Sequence, residues 1–140
     1  MDSELTERTA AVLDSASTWD GVVRVRTRSD GRVRTTLRVG GRAFGRVEAG
    51  SVAARFPGKL PRVVVRHGLA DAETGDGWTR LSEPSVAAAT ETLWLAYLSR
   101  VARIGRRRPA DAPDVNVDAG LDELDLSPGV VHLVREQGRS

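Results

Sequence analysis

Arginine offers this chain its most distinctive chemistry. Of 140 residues, 20 are Arg and one, Lys59, is Lys. Arg24, Arg26, Arg28, Arg32, Arg34 and Arg38 fall on alternate positions of two neighbouring runs. Arg106, Arg107 and Arg108 close a second cluster that begins at Arg100 and Arg103. A guanidinium stays charged at neutral pH and presents a planar fork of N–H donors that matches phosphate and carboxylate. Roughly six such groups on one surface would give strongly salt-dependent binding of a polyanion.

Groups that move protons are sparse by comparison. The two histidines are His67 and His132. His67 stands near Asp71, Glu73 and Asp76, a setting in which an imidazole can act as acid or base. No HxxxH, HExxH or comparable zinc spacing occurs, and with no Cys there is no thiolate ligand, disulfide or thiol nucleophile. GxSxG, Walker A, GxGxxG and EF-hand patterns are absent. Gly40-Gly41-Arg42 is followed by no helix that would make it a phosphate loop. We therefore assign no catalytic residue, no metal ligand and no cofactor.

Charge is segregated far more than the net value of +2 suggests. Residues 20–48 carry +5, with eight Arg against Asp20, Asp30 and Glu48, and residues 100–108 carry another +5. Residues 109–140 carry −5. Within them Asp111, Asp114, Asp118, Asp122, Glu123 and Asp125 answer the basic clusters in sign and approximate number. This makes two expectations: a tail that folds over Arg100–Arg108 or the arginine strands, or one that meets them in a second copy as a homo-oligomer. A solvated, solubilising tail is the plainer alternative. The preference for Arg over Lys also fits a GC-rich codon bias, which weakens it as a sign of selection for bidentate recognition.

Several elements must position these groups. Ser3 as cap and the stripe Leu5, Thr9, Val12, Leu13 and Ala16 predict an N-terminal helix that Trp19-Asp20-Gly21 ends. Val23, Val25 and Thr27 alternate with arginines, Asp30-Gly31 is a two-residue hairpin signal, and Val33, Thr35, Leu37 and Val39 continue the alternation. Gly40-Gly41 turns the chain into Arg42–Val47. This pattern predicts a meander with one dry face, from whose wet side Arg24, Arg26, Arg28, Arg32, Arg34 and Arg38 project, with Arg46 as a further candidate. No aromatic interleaves these arginines, so base stacking is not expected on that face.

Between residues 49 and 76 the pattern is ambiguous. Arg62–Leu69 fits a short helix or a buried strand equally, Thr74-Gly75-Asp76-Gly77 is a turn, and Trp78–Leu81 a short strand. Ser82-Glu83-Pro84-Ser85 marks a helix start, and Val86, Thr90, Leu93, Tyr97, Val101 and Ile104 form its stripe, with Gly105 as the expected C-cap. The expected fold class is α+β: an antiparallel meander sheet of four or five strands, an N-terminal helix, and a long helix over about 84–104 packed on one face. Residues 1–108 form one domain, and 109–140 an acidic linker and C-terminal tail able to dock back. The polar, acidic start and the lack of a long apolar run lead us to expect a cytoplasmic protein with no membrane partner.

The order Trp19–Val22, Leu37–Gly45, Phe56-Pro57, Gly77–Thr79 and Leu93–Tyr97 resembles the small bacterial "luciferase-domain" family of uncharacterised proteins, whose label implies no demonstrated light emission. It is more distantly similar to MmcQ/YjbR-like double-wing proteins, sometimes suspected of DNA binding. The resemblance spans roughly residues 5–104. Its motifs are turn glycines, a proline break and a buried tryptophan, and the loop before Gly77-Trp78 is compressed to Ala70–Asp76. No catalytic residue carries over.

The leading reading is a non-enzymatic binding or regulatory module that meets an acidic partner, nucleic acid or protein, through its arginine-rich sheet face and Arg106–Arg108. Self-association through the acidic tail is second. An enzyme with a site around His67 is third.

Overall fold

The structure, a computed structural model, describes residues 7–29, 31–48, 51–82, 85–124, 126 and 128–137. Helix α1 (Glu7–Ala16) leads into strands β1 (Val23–Ser29), β2 (Arg32–Val39), β3 (Arg42–Glu48) and β4 (Ser51–Arg55). Helix α2 (Leu60–Arg66), strands β5 (Ala72–Gly75) and β6 (Trp78–Ser82), and the long helix α3 (Val86–Arg107) follow. A 3-10 turn at Pro109–Asp111 and helices α4 (Val117–Asp122) and α5 (Pro128–Gln137) complete the chain. The antiparallel sheet runs β1-β2-β3-β4-β6-β5, so the fold is α+β with six strands rather than four or five. The extra strands lie in the 49–76 stretch, where alternation is short and small residues (Ser51, Ala53, Ala54, Ala72) weaken the β signal. Arg62–Leu69 resolves largely as helix, with Pro61 in the first turn of α2 where its missing N–H costs nothing. The expected cap Ser3 and the turn residue Asp30 lie outside the described residues.

Helix α3 lies across β2, β3 and β4. Ser85 caps it, its Oγ accepting the Ala88 N–H at 3.1 Å, and the helix runs through Gly105 to Arg107. Gly105 is thus helical, and the last turn is held by Arg106 and Arg107 against the negative helix end. Contact with the sheet is close enough that a Cβ on Gly45 would sit 2.6 Å from Leu93 Cδ2. Glycine at 45 therefore sets the helix-to-sheet distance. One core joins Val12, Leu37, Phe44, Val52, Leu60 and Leu93 to Leu121, Val130 and Val134. Residues beyond 108 thus help complete the core, with α4 and α5 packed on α3. No helix among the described residues is long and apolar enough to cross a membrane.

An aromatic cluster pins the N-terminal segment to α3. Trp94 stacks on Tyr97 at 5.3 Å, and Trp19 sits 4.9 Å from Trp94 and 5.3 Å from Tyr97. The Tyr97 hydroxyl, on a fully buried side chain, donates to the Asp20 carbonyl at 2.6 Å. Burial, and then the Asp20 charge, pushes this hydroxyl up from 10 to about 12. The neutral form is therefore favoured in the folded state. This contribution to stability is complete below pH 10 and is lost as pH rises through 12. Tyr97 is the sole tyrosine, so ultraviolet titration of phenolate reads it directly. Native protein will ionise near pH 12 and urea-unfolded protein near 10; coincident curves would refute the shift. Tyr97→Phe will cost about 1 kcal/mol at pH 8, the worth of one hydrogen bond.

Candidate anion site

The pairing register decides where each arginine points. Directly paired residues of an antiparallel ladder project from the same face. Arg24, Arg26 and Arg28 pair with Leu37, Thr35 and Val33, whose side chains are buried under the helices. Val23, Val25 and Thr27 pair with Arg38, Thr36 and Arg34 on the opposite, open face. The arginines of β1 and β2 therefore do not share a surface, which corrects the single arginine face expected from alternation. A two-residue turn pairs an even position with an odd one, so the valines of the two strands cannot share a face either. Val23 is accordingly 58% exposed. Arg24, Arg26 and Arg28 stay exposed on the helix side of this edge strand, where Arg24 Nη1 donates to Ser17 Oγ at 3.3 Å. Arg32 opens β2, with its side chain outside the described residues.

A different set of arginines converges. At the β3 entrance the register slips: Leu37 pairs with Gly45 but Arg38 with Ala43, leaving Phe44 as a bulge. The extra residue reverses the alternation, so Arg42 pairs with Val39 and turns toward the helices. On α3, Arg100, Arg103 and Arg107 recur at i, i+3 and i+7 and share one side of the helix. Together with Arg55 at the end of β4 and Arg108 at the helix terminus they line a cleft of about 660 Å³. Its apolar wall is Phe56, Pro57, Pro61 and Ile104, and Glu73, Asp76 and Gly77 complete the rim.

Arg100 is the unusual member. The residue is 8% exposed, and its Nε is buried with no hydrogen-bond partner among the described residues. Burial, then the charges of Arg103, Arg42, Arg55 and Arg107, pull its pKa from 12.5 to about 10. It stays cationic at neutral pH, but desolvated and surrounded by like charge, a state that proteins seldom leave uncompensated. The rim acids do little to offset it. Asp76 adopts a left-handed φ of 55°, and its backbone carbonyl accepts from Arg55 Nε at 3.0 Å.

Of the arginines expected from sequence, Arg107 and Arg108 line the cleft, and Arg106 is exposed just outside its lining. Arg34 and Arg38 belong to the open face. Arg42, Arg55, Arg100 and Arg103 had not been singled out as binding residues. The signal for Arg100 was present: it falls seven residues after Leu93, at a position where the buried stripe should continue. His67 caps the end of α2, outside this lining, and Asp71 Oδ2 accepts the Ser82 N–H at 2.7 Å. Among the described residues no cluster of three or more His, Cys, Asp or Glu could hold a metal ion.

Among the described residues, no acidic side chain of the tail lines the cleft. Arg135 of α5 takes Asp118 at 3.0 Å and lies 3.9 Å from Asp122, while the Asp114 N–H donates to Asp20 Oδ2 at 2.8 Å. Asp114, Asp118, Asp122 and Glu123 contribute nothing to the cleft lining. Apolar docking of Leu121, Val130 and Val134 fixes where the tail lies, and that choice overrides long-range attraction between its acids and the arginines. Asp125 and the side chain of Asp111 lie outside the described residues. Comparison of the chain with known protein families, curated proteins and solved structures finds no match in any of the three.

Proposed function

We propose that this protein is a non-enzymatic binding module for a small, multiply charged anion held in the arginine cleft. The observation that carries the reading is Arg100, a nine-tenths buried cation whose Nε has no hydrogen-bond partner among the described residues. An anion entering the cleft relieves the repulsion among Arg100, Arg103, Arg42, Arg55 and Arg107 at once. Six arginines against Glu73 and Asp76 leave four positive charges in excess, so the ligand is a compact polyphosphate or polycarboxylate. The volume falls within the range of small-molecule sites, and the Phe56–Pro61 wall suits an uncharged portion of such a ligand. The acidic partner expected from sequence keeps its chemistry under this reading, while its site moves from the sheet face to the cleft.

Scanning fluorimetry at constant ionic strength tests the proposal. Inorganic triphosphate will raise Tm saturably, more than pyrophosphate and far more than phosphate. Arg103→Ala will weaken triphosphate binding about tenfold, the loss of one charge-assisted contact, whereas Arg62→Ala, exposed on α2, will leave it unchanged. A Tm that follows ionic strength alone, or an undiminished response in Arg103→Ala, would overturn it.

A further inference from the structure

The sheet face opposite the helices carries its own chemistry. The ladder places Arg34 and Arg38 of β2, Arg46 of β3, Arg55 of β4, and Trp78 and Arg80 of β6 on it. Between them lie Thr36, Ala43, Ser51 and Ala53, a floor of small side chains. The Arg46 guanidinium carbon sits 4.2 Å from the centre of the Trp78 ring, and that of Arg55 sits 6.0 Å away. Glu48, whose Oε1 lies 3.1 Å from Arg34 Nε, is the one acid that the pairing puts on this face among the described residues. Helices α1 and α3 contact the sheet from its other side, against Leu37, Phe44 and Val47.

The geometry points to this open face as a docking surface for single-stranded nucleic acid. Five arginines against Glu48 supply about four free phosphate contacts, and the small floor lets a chain lie close to the sheet. Trp78 and the guanidinium above it form a platform on which an unpaired base can stack, because bases stack on aromatic rings and on arginine planes alike. From β2 to β6 the face spans three inter-strand gaps, roughly 14 Å, room for about two or three bases on a sheet of this kind. Among the described residues no helix lies on this face, and a sheet face without one does not enter a duplex major groove to reach base edges. Single strands are thus favoured over duplex. The two sites share Arg55 and no other residue.

Fluorescence anisotropy of the full chain with labelled (dT)10 and (U)10, set against a DNA duplex and heparin across 50–200 mM salt, tests it. Single strands will bind with a log–log salt slope of about −3, from four phosphates at about −0.7 each. Trp78→Ala will lower the affinity about tenfold without changing the slope, since stacking releases no counterions. Arg46→Gln, which leaves the tryptophan in place, will flatten the slope by about 0.7. Arg100→Met will change neither, which separates failure here from failure of the cleft reading. No binding of either oligonucleotide at 50 mM salt would overturn the proposal. So would equal affinity for duplex and heparin with no response to Trp78→Ala, which would define a plain basic surface.

Discussion

Replacing Arg100 by methionine will make the ligand-free protein more stable, by about 1 kcal/mol, and will abolish its stabilisation by triphosphate. The fall in pKa from 12.5 to about 10, discounted for the solvent that reaches the guanidinium end, leaves about 2 kcal/mol disfavouring the charge where it lies. Methionine keeps an apolar stem and removes the charge. Allowing about 1 kcal/mol for imperfect repacking leaves a net gain of about 1. For a chain of this length that is a rise in Tm of roughly 3 °C.

With ligand at a hundredfold excess over Kd the order reverses. The wild type gains about 3 kcal/mol and the variant gains nothing. Urea unfolding of both proteins with and without triphosphate reads the crossing. A variant less stable than wild type without ligand would mean that Arg100 is a satisfied structural residue, and the cleft would lose its support. The same exchange of stability for function is common where binding groups are held in unfavourable surroundings.

The second large effect is expected at Gly77, where backbone strain and site geometry meet. Its φ is +87°, and a Cβ there would lie 2.6 Å from the Phe56 carbonyl oxygen, a backbone atom that cannot rotate away. The Gly77 carbonyl in turn accepts the Phe56 N–H at 2.8 Å, so the two segments are tied at the mouth of the cleft. Gly77→Ala will destabilise the protein by about 3 kcal/mol, combining about 1 for the left-handed backbone with about 2 for displacing the Phe56 strand end. It will also weaken triphosphate binding, because Phe56 and Pro57 form the cleft wall. Gly75→Ala is the control. Its φ is +107°, but no atom lies within 4 Å of the added carbon, and about 1 kcal/mol is expected. Equal losses in the two variants, measured by urea unfolding, would show that the Phe56 contact does not matter.

Much of the fold was legible because local signals agreed. The β1–β2 hairpin follows from a two-residue turn between alternating runs, and α3 from the start signal Ser82-Glu83-Pro84-Ser85 and a stripe ending near Ile104, with Ser85 the cap in the structure. Trp19, Gly45, Phe56, Gly77 and Tyr97 hold core or turn positions. Strands β4 and β5 were harder to read, because four- and five-residue runs of small side chains give no period strong enough to separate strand from loop. Trp78 was read as part of a short strand, but its place beside Arg46 depends on a crossover that brings β6 next to β4.

From the order of residues alone it follows that nearly all the basic groups are arginine, that the charge is divided into blocks, and that an antiparallel sheet packs beneath a long helix. The two-residue turn also contained the parity that separates Arg24, Arg26 and Arg28 from Arg34 and Arg38, since it pairs even positions with odd ones. Which arginines meet depends on packing between distant segments. Phe44 had to bulge to turn Arg42 toward α3. Leu121, Val130 and Val134 had to join the core, which fixes α4 and α5 against α3, and Arg100 had to be buried with its Nε unpartnered among the described residues. The bulge and the docked tail serve the burial of apolar side chains, a gain shared over many residues, whereas the position of one charge is a local cost that the whole core can impose.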